Sequence, residues 1–492
     1  MNKLKYFFIA IVLGISAFTH LYRIDQTYIF NNDEGRDALI AYRMIETGSP
    51  VLLGPETSVG NMYLGPFYYY LMVPALMISG LDPVGPAIMV SILGIITTIL
   101  IIYLGKKKFS LSAGIVAGLF YALSPIMVFS SRSSWNPNVI PLFITLLLLV
   151  HPAKKLWQMI SFGLLTGIIF QLHYVALIVP ALLCVQEFYL AWKNKEWKHF
   201  GAFVTLVILG FLVASSPFWL FEIRHNFINS QAFITYLMSK STGGSLGYPP
   251  YLLRLLTNGK LLIGGLIGSK SVMFAAPSLL MWAAGSLTLL VFLISKKGTL
   301  SYLTLFSLII ISVLKENIYI HYISFLYPVI CAMIAVVVTE HGIWKIPGLL
   351  LLLALVLPSY ASLHYNLAQN VSSQPRRARE TADYIVKEAS GKPYNVVNAS
   401  TSSTSTILYF LAISNNPPKN SDEPLIFVIC EKDLCGQDIL TRNDLFLNGP
   451  SHPTLISYLG YTPRLTVEEK RTMLKNEWVT YDVHVATVTR DP

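Results

Sequence analysis

Charge is what this sequence lacks. Only 13% of its 492 residues are Asp, Glu, Lys or Arg, against 54% hydrophobic, where a soluble domain carries about 25% charge. Acidic residues are scarcest early on: residues 1–360 hold 12 of them beside 23 basic ones, whereas 361–492 hold 14 beside 13. The positive excess belongs to the apolar part, where it reports loop charge and lipid contact and gives no reason to invoke nucleic acid. Cysteine is rare too, with four residues. Cys184 and Cys331 fall inside apolar runs, and Cys430 and Cys435 in "VICEKDLC" supply only two ligands at no standard zinc spacing. That pair is left as free thiols or, in an extracytoplasmic tail, as a small disulfide. No glycine-rich phosphate loop is present, and no internal repeat of the kind that marks many transporters.

What is present is a succession of apolar runs from residue 6 to residue 360, each near the ~20 residues that span a bilayer as a helix. A soluble helical protein would need polar helix faces, and "PAIMVSILGIITTILIIYLG" has none. The start "MNKLKYFFIAIVLGISAFTHLYRID" has a signal peptide's basic and apolar segments but no A-x-A cleavage site, so it reads as a retained helix over about 5–22. Lysines at 3/5, 106–108, 154/155, 193/195/198, 296/297 and 345 mark the cytoplasmic side. Between them fall predicted spans at 85–105, 112–131, 137–152, 157–173, 174–192, 200–220, 273–295, 299–314, 320–339 and 346–360. With the first helix this makes about 11 spans, the N-terminus inside and the C-terminal domain outside. Counting 66–80 as a span would invert every later lysine cluster. Its two prolines and three tyrosines suit an interfacial, re-entrant helix. The second long outer loop, about 221–272, reads as an interfacial helix followed by a flexible Gly/Pro-rich link. The predicted domains are a membrane domain over 1–360 and a small extracytoplasmic α/β domain over 361–492. In the latter, "ARETADYIVKEAS" and "STSTILYFLAIS" read as helices, "PYNVVNA" and "PLIFVICE" as strands.

The scarce carboxylates gather beside the first helix, in "YIFNNDEGRDALIAYRMIETGSPVLLGPE". Here Ala38, Leu39, Ala41, Tyr42 and Ile45 share one side at helical spacing, and Arg36, Asp37, Arg43 and Glu46 alternate around the other. This predicts a helix on the bilayer surface, capped by Asn31, Asn32 or Asp33, with Asp33 and Glu34 at its N-terminal end. An Asp-Glu pair at a helix start is often only a cap. Placed at membrane level beside Arg36, it can also take a proton from an acceptor hydroxyl or amine while a sugar leaves a lipid phosphate. The leaving phosphate needs cations, and the outer-facing ones are Arg36, Arg132, Arg224, His225, Lys315 and His321. Each has a plainer reading: Arg132 snorkels, Arg224 and His225 line a loop surface, Lys315 pairs with Glu316, and His173/Tyr174 and His321/Tyr322 are belt residues at outer helix starts.

These motifs occur in an order that resembles the C-fold membrane glycosyltransferases (GT-C) that use polyprenyl-phosphate sugars, nearest in pattern to protein O-mannosyltransferase-like and lipid A aminoarabinose transferases. "NNDEGRDALIAYRMIETGSP" resembles the family's Asp-Glu motif and first interfacial helix. "LGPFYYYLMVPALMISG" stands in place of the second, "IIYLGKKKFS" in place of a basic Leu-Gly-Arg-Arg-like tail. "AGIVAGLFYALSPIMVFSSRSSWNPNVIPLF" resembles the Ala-Leu-Ser-Pro helix and its Arg-containing outer turn. The likeness covers residues 5–225 well and "HYISFLYPVICAM" more loosely. It implies Asp33 as catalytic base, Glu34 supporting it or meeting the acceptor, and Arg36 and Arg132 near the donor phosphate. There are two departures. Gly65 stands where the family has a phosphate-contacting Lys before Pro, and Asn136 replaces a second acid before Pro. The first shifts phosphate contact to arginines or His225; the second removes a metal ligand, so no obligatory metal or other cofactor is expected.

The sequence thus reads as an all-α polytopic membrane domain of GT-C type, with interfacial helices in its first outer loop, plus a small α/β domain. The activity implied is inverting transfer of a sugar from a polyprenyl-phosphate donor to an extracytoplasmic lipid, glycan or protein acceptor. Asp33 and Glu34 are the catalytic candidates. Arg36, Arg132, Asn136, His173, Tyr174, Arg224, His225, His321 and Tyr322 are the donor-phosphate or substrate candidates. Expected partners are the lipid donor, the acceptor and membrane lipids, with no nucleic acid. The alternatives are a transporter or flippase for lipid-linked sugars, which should carry charge at mid-membrane, and a polymerase of lipid-linked repeats.

Overall fold

The structure is a computed structural model and describes residues 2–57, 62–238, 250–267, 298–314, 318–340, scattered positions in 356–367, 374–399, 405–419, 423–431, 435–436, 471–480 and 483–490. The predicted span 273–295, most of 346–360, the Gly-rich link and Lys315 lie outside the described residues. The chain divides into two compact units. One comprises residues 1–24, 51–70 and 87–369, the other 25–50, 71–86 and 370–492.

The first unit is helical. It contains α1 (Asn2–Leu21), most of α5 (Val84–Lys108), α6 (Leu111–Leu123), α7 (Pro125–Ser131), α8 (Ile140–Val150), α9 (Leu156–Leu172), α10 (Ile178–Asn194), α11 (Trp197–Ala214) and α12 (Ser216–Arg224). After these come α13 (Ile228–Met238), α14 (Tyr251–Ile267), α15 (Gly298–Ile311) and α16 (Tyr327–Glu340). Among the described residues, five helices are long and apolar enough to cross a membrane, six if the bent pair α6–α7 is one span. The predicted spans that fall within the described residues lie on helices, several of them shorter or broken, and those residues alone do not reach the expected count of about 11. The pair α6–α7 turns by 64° at Ser124-Pro125, because proline cannot continue α6 but suits the first position of the next helix. The span that ends in α16 is buried along most of its length, whereas α11 shows most of its surface, with Ile208, Leu209, Leu212 and Val213 exposed. An apolar face of that kind is what lipid would cover. At the lysine-bearing end, Lys107 Nζ and Lys108 Nζ donate to the carbonyls of Leu149 and His151 at 2.8 and 2.6 Å. They satisfy the C-terminal end of α8, where cations are favoured.

The second unit is α/β. Its sheet runs β1-β2-β4-β3, with β1 (Tyr394–Asn398) parallel to β2 (Leu425–Glu431), and β4 (Val483–Arg490) antiparallel to both β2 and β3 (Arg471–Thr480). Val397, Ile426, Val428, Ala486 and Val488 form its core with Cys430 and Cys435, which are joined in a disulfide. The amphipathic stretch forms α17 (Gln374–Ala389) and "STILYFLA" forms α18 (Ser405–Ala412). The last two strands were not anticipated from sequence. This unit also takes in most of α2 (Ile24–Thr27), α3 (Asn32–Thr47) and most of α4 (Phe67–Ile78), residues expected in the membrane domain.

Candidate functional site

In the second unit, α3 starts where the chain is extended at Asn31 and ends at Gly48, whose positive φ of 65° and N–H bond to Met44 O at 3.0 Å close the helix. Glu34 reaches back so that its Oε2 accepts the Asn31 N–H at 3.0 Å, as the third helical residue does in a capping box. Glu34 is buried at 4% exposure, so its carboxylate has a local structural job. Asp33 is different: its side chain is 48% exposed, and its Oδ1 accepts from Arg36 Nη1 at 2.8 Å. Arg36 Nε and Nη2 both point at Asp37 Oδ1, at 2.9 and 2.8 Å. The guanidinium thus bridges an exposed carboxylate and a buried one.

Asp37 was placed on the water-facing side of a surface helix; it is completely buried. On the Gly35 face of α3, an added Cβ would stand 2.6 Å from the Thr406 backbone nitrogen, so α18 packs backbone to backbone against that face. Phe30 meets the rings of Tyr409 and Phe410 at 5.9 and 5.8 Å. Tyr409 donates to Leu81 O at 2.7 Å, and Arg379 pairs with Asp82 at 2.9 Å. Burial pushes the Tyr28 and Tyr409 hydroxyls up, so both remain neutral donors. The missed signal was spacing: Asp33 and Asp37 lie four apart, hence on one helix face, with Arg36 between them.

In the first unit, three predicted residues converge. His173 lies with its ring centroid 5.0 Å from Tyr322 and 6.1 Å from His321, and Trp135, not foreseen, lies tilted with its ring centroid 4.6 Å from His321. His173 Nδ1 accepts the Val175 N–H at 3.3 Å, which leaves Nε2 to carry the proton of the neutral ring and donate it. Asn136 is buried beside this group and spends its amide on Leu172 O at 2.6 Å. The cluster offers imidazole and phenol donors among flat apolar faces, a combination suited to an oxygen-rich ligand.

The other candidates sit elsewhere in that unit. Arg132 is 1% exposed. Its guanidinium donates to the carbonyls of Thr19, His20 and Tyr22 at 3.0, 3.0 and 2.7 Å, closing the C-terminal end of α1 where snorkelling or phosphate contact was expected. Tyr174 donates to Tyr63 O beside Asn229. That network ends on Glu222, buried and unmentioned by the sequence reading, which accepts the N–H groups of Asn229 and Ser230 at 3.0 and 2.7 Å. Arg224 and His225 are exposed, and His225 lies on Phe221 at 4.0 Å. At Gly65, where a lysine was looked for, an added Cβ would stand 2.2 Å from Gln171 Cγ; the site has no room for any side chain. Among the described residues, the three donors close enough to share a metal are Cys430, Cys435 and His484, and two of those are already joined.

No family model matches the chain, and no curated protein matches it in sequence. Solved structures do match its fold. ArnT from Cupriavidus metallidurans, bound to undecaprenyl phosphate, aligns with a TM-score of 0.63 at 14% identity over 99% of this chain and 98% of that one, and its apo state aligns equally well. The oligosaccharyltransferase of Archaeoglobus fulgidus aligns at 0.48 with 12% identity, over 78% of this chain and 58% of its own. The chain therefore shares the fold of that ArnT structure along nearly the whole of both aligned chains.

Proposed function

We propose that this protein is a membrane glycosyltransferase that moves a sugar from a polyprenyl-phosphate carrier to an extracytoplasmic acceptor. The observation that carries the reading is the end-to-end likeness to ArnT, whose structure holds undecaprenyl phosphate. In the proposed reaction, the Asp33 carboxylate takes the proton of the acceptor hydroxyl or amine as that atom attacks the anomeric carbon. The carbon–oxygen bond to the phosphate breaks, and polyprenyl phosphate departs with the electron pair. A single displacement inverts the anomeric centre, since no second carboxylate is assigned to the sugar. Arg36, held by Asp37, orients Asp33. Within the first unit, His173, His321 and Tyr322 form their own group of donors suited to an oxygen-rich ligand, and Arg224 and His225 are exposed. Lysine placement orients the N-terminus to the cytoplasm and the α/β unit to the outside.

The test is to incubate the purified protein in lipid with a panel of polyprenyl-phosphate sugars and acceptors and to measure release of polyprenyl phosphate. Asp33→Asn should lower release by about 10²-fold or more. Release indifferent to Asp33 would remove this mechanism. Scrambling of lipid-linked sugar across vesicles with no release would identify a flippase.

A further inference from the structure

At the lysine-bearing end of the first unit, helices α5, α8, α10 and α15 leave a crevice of about 300 Å³, the lower end of the usual range for a small-ligand site. Its walls are mainly leucine, including Leu104, Leu148 and Leu190, and its polar lining comprises Lys108, His151, Gln186 and Thr299. Gln186 Nε2 donates to Thr299 Oγ1 at 2.9 Å and ties α10 to α15 across it. Lys108 is exposed and uses one of its three N–H donors on His151 O. Lys106 and Lys107 precede it in the chain. Glu187, an acid nearby, is occupied by the Ala153 N–H at 2.9 Å and by His151 Nδ1 at 3.1 Å.

An apolar slot under a cation, at the end of membrane-spanning helices, matches a ligand that is apolar along its length and anionic at its head. We infer that this crevice binds the phosphate head of an anionic phospholipid, with Lys108 on the phosphate and the leucine walls along the start of an acyl chain. The helix ends here carry an excess of lysine, and each such lysine near an anionic surface contributes about 1 kcal/mol of attraction. What separates a site from that general attraction is the slot itself. Lys106 shares the charge of Lys108 but does not line the crevice.

The experiment uses the full-length protein in detergent and measures bound lipid by native mass spectrometry and melting temperature. The probes are phosphatidylglycerol, phosphatidylcholine and glycerol 3-phosphate. Phosphatidylglycerol should be retained and should raise the melting temperature by several degrees, with phosphatidylcholine and glycerol 3-phosphate inert. Lys108→Gln and Leu190→Gln, which fills the slot with a polar but uncharged chain, should each cut retention at least fivefold, while Lys106→Gln changes it less than twofold. Stabilisation by glycerol 3-phosphate would replace the lipid by a soluble phosphate ester. Equal loss in Lys106→Gln and Lys108→Gln, or retention unchanged in both Lys108→Gln and Leu190→Gln, would overturn the site.

Discussion

Asp33 and Asp37 share one guanidinium, yet only Asp33 meets solvent. A base must reach its proton donor, which only the exposed member can do; the buried one fixes the direction of Arg36. Asp37→Asn keeps the shape and one acceptor but removes the buried charge, and should cost about 1–3 kcal/mol of stability, read as a lowered thermal midpoint. If Arg36 orients Asp33, the same variant should also lower turnover while leaving the Michaelis constant for the donor nearly unchanged. A second acid in the α/β unit sets a pH dependence. The Tyr384 hydroxyl at 2.7 Å and the Lys475 ammonium at 3.0 Å hold the Glu477 carboxyl below the usual range. Its contribution to stability is therefore present above the ordinary carboxylate range and is lost as the pH falls through the lowered value. Melting curves between neutral and acid pH should show a shallower acid decline in Glu477→Gln than in the unaltered chain.

Helices tell a similar story at larger scale. The apolar helices were legible because a bilayer demands long apolar runs, although among the described residues five, or six with the bent pair, are long enough to cross one. The Asp-Glu helix was legible from its spacing and cap. Which face of it is covered was not, because α18 lies some 370 residues downstream and Gly35 gives no sign of what rests on it. Gly65 was likewise read as a lost lysine, whereas the position is one where backbone meets Gln171. Both contacts are testable. Gly35→Ala forces a methyl group into the α18 backbone, which cannot rotate aside as a side chain would. It should destabilise the protein by about 1–3 kcal/mol and disturb α3 first, seen as faster amide exchange over residues 32–47. Gly65→Lys, restoring the residue the resemblance calls for, should impair folding rather than improve donor binding. Gain of donor affinity in that variant would show that the loop can yield.

Across the whole chain, the change in charge near residue 361 suggests a boundary there, whereas the compact units divide at residues 369 and 370. The true composition of the α/β unit was not readable, because residues 25–50 and 71–86 join it through tertiary packing alone. Expressed by itself, the segment 370–492 would leave the α18 surface that meets Phe30 and Gly35 open to water. It should bind a hydrophobic dye and associate in solution, and co-expression with residues 25–86 should reduce both effects. Dye-free, monomeric behaviour of the isolated tail would mean that α3 adds little to that fold.

The discontinuity of this unit also has a temporal side. A ribosome emits residues 25–50 early but must add more than three hundred others before α18 exists. At 5–20 residues per second this is on the order of half a minute. Until then the Gly35 face of α3 waits without the helix that packs on it, so completion of the carboxyl-terminal segment is the event that closes that contact.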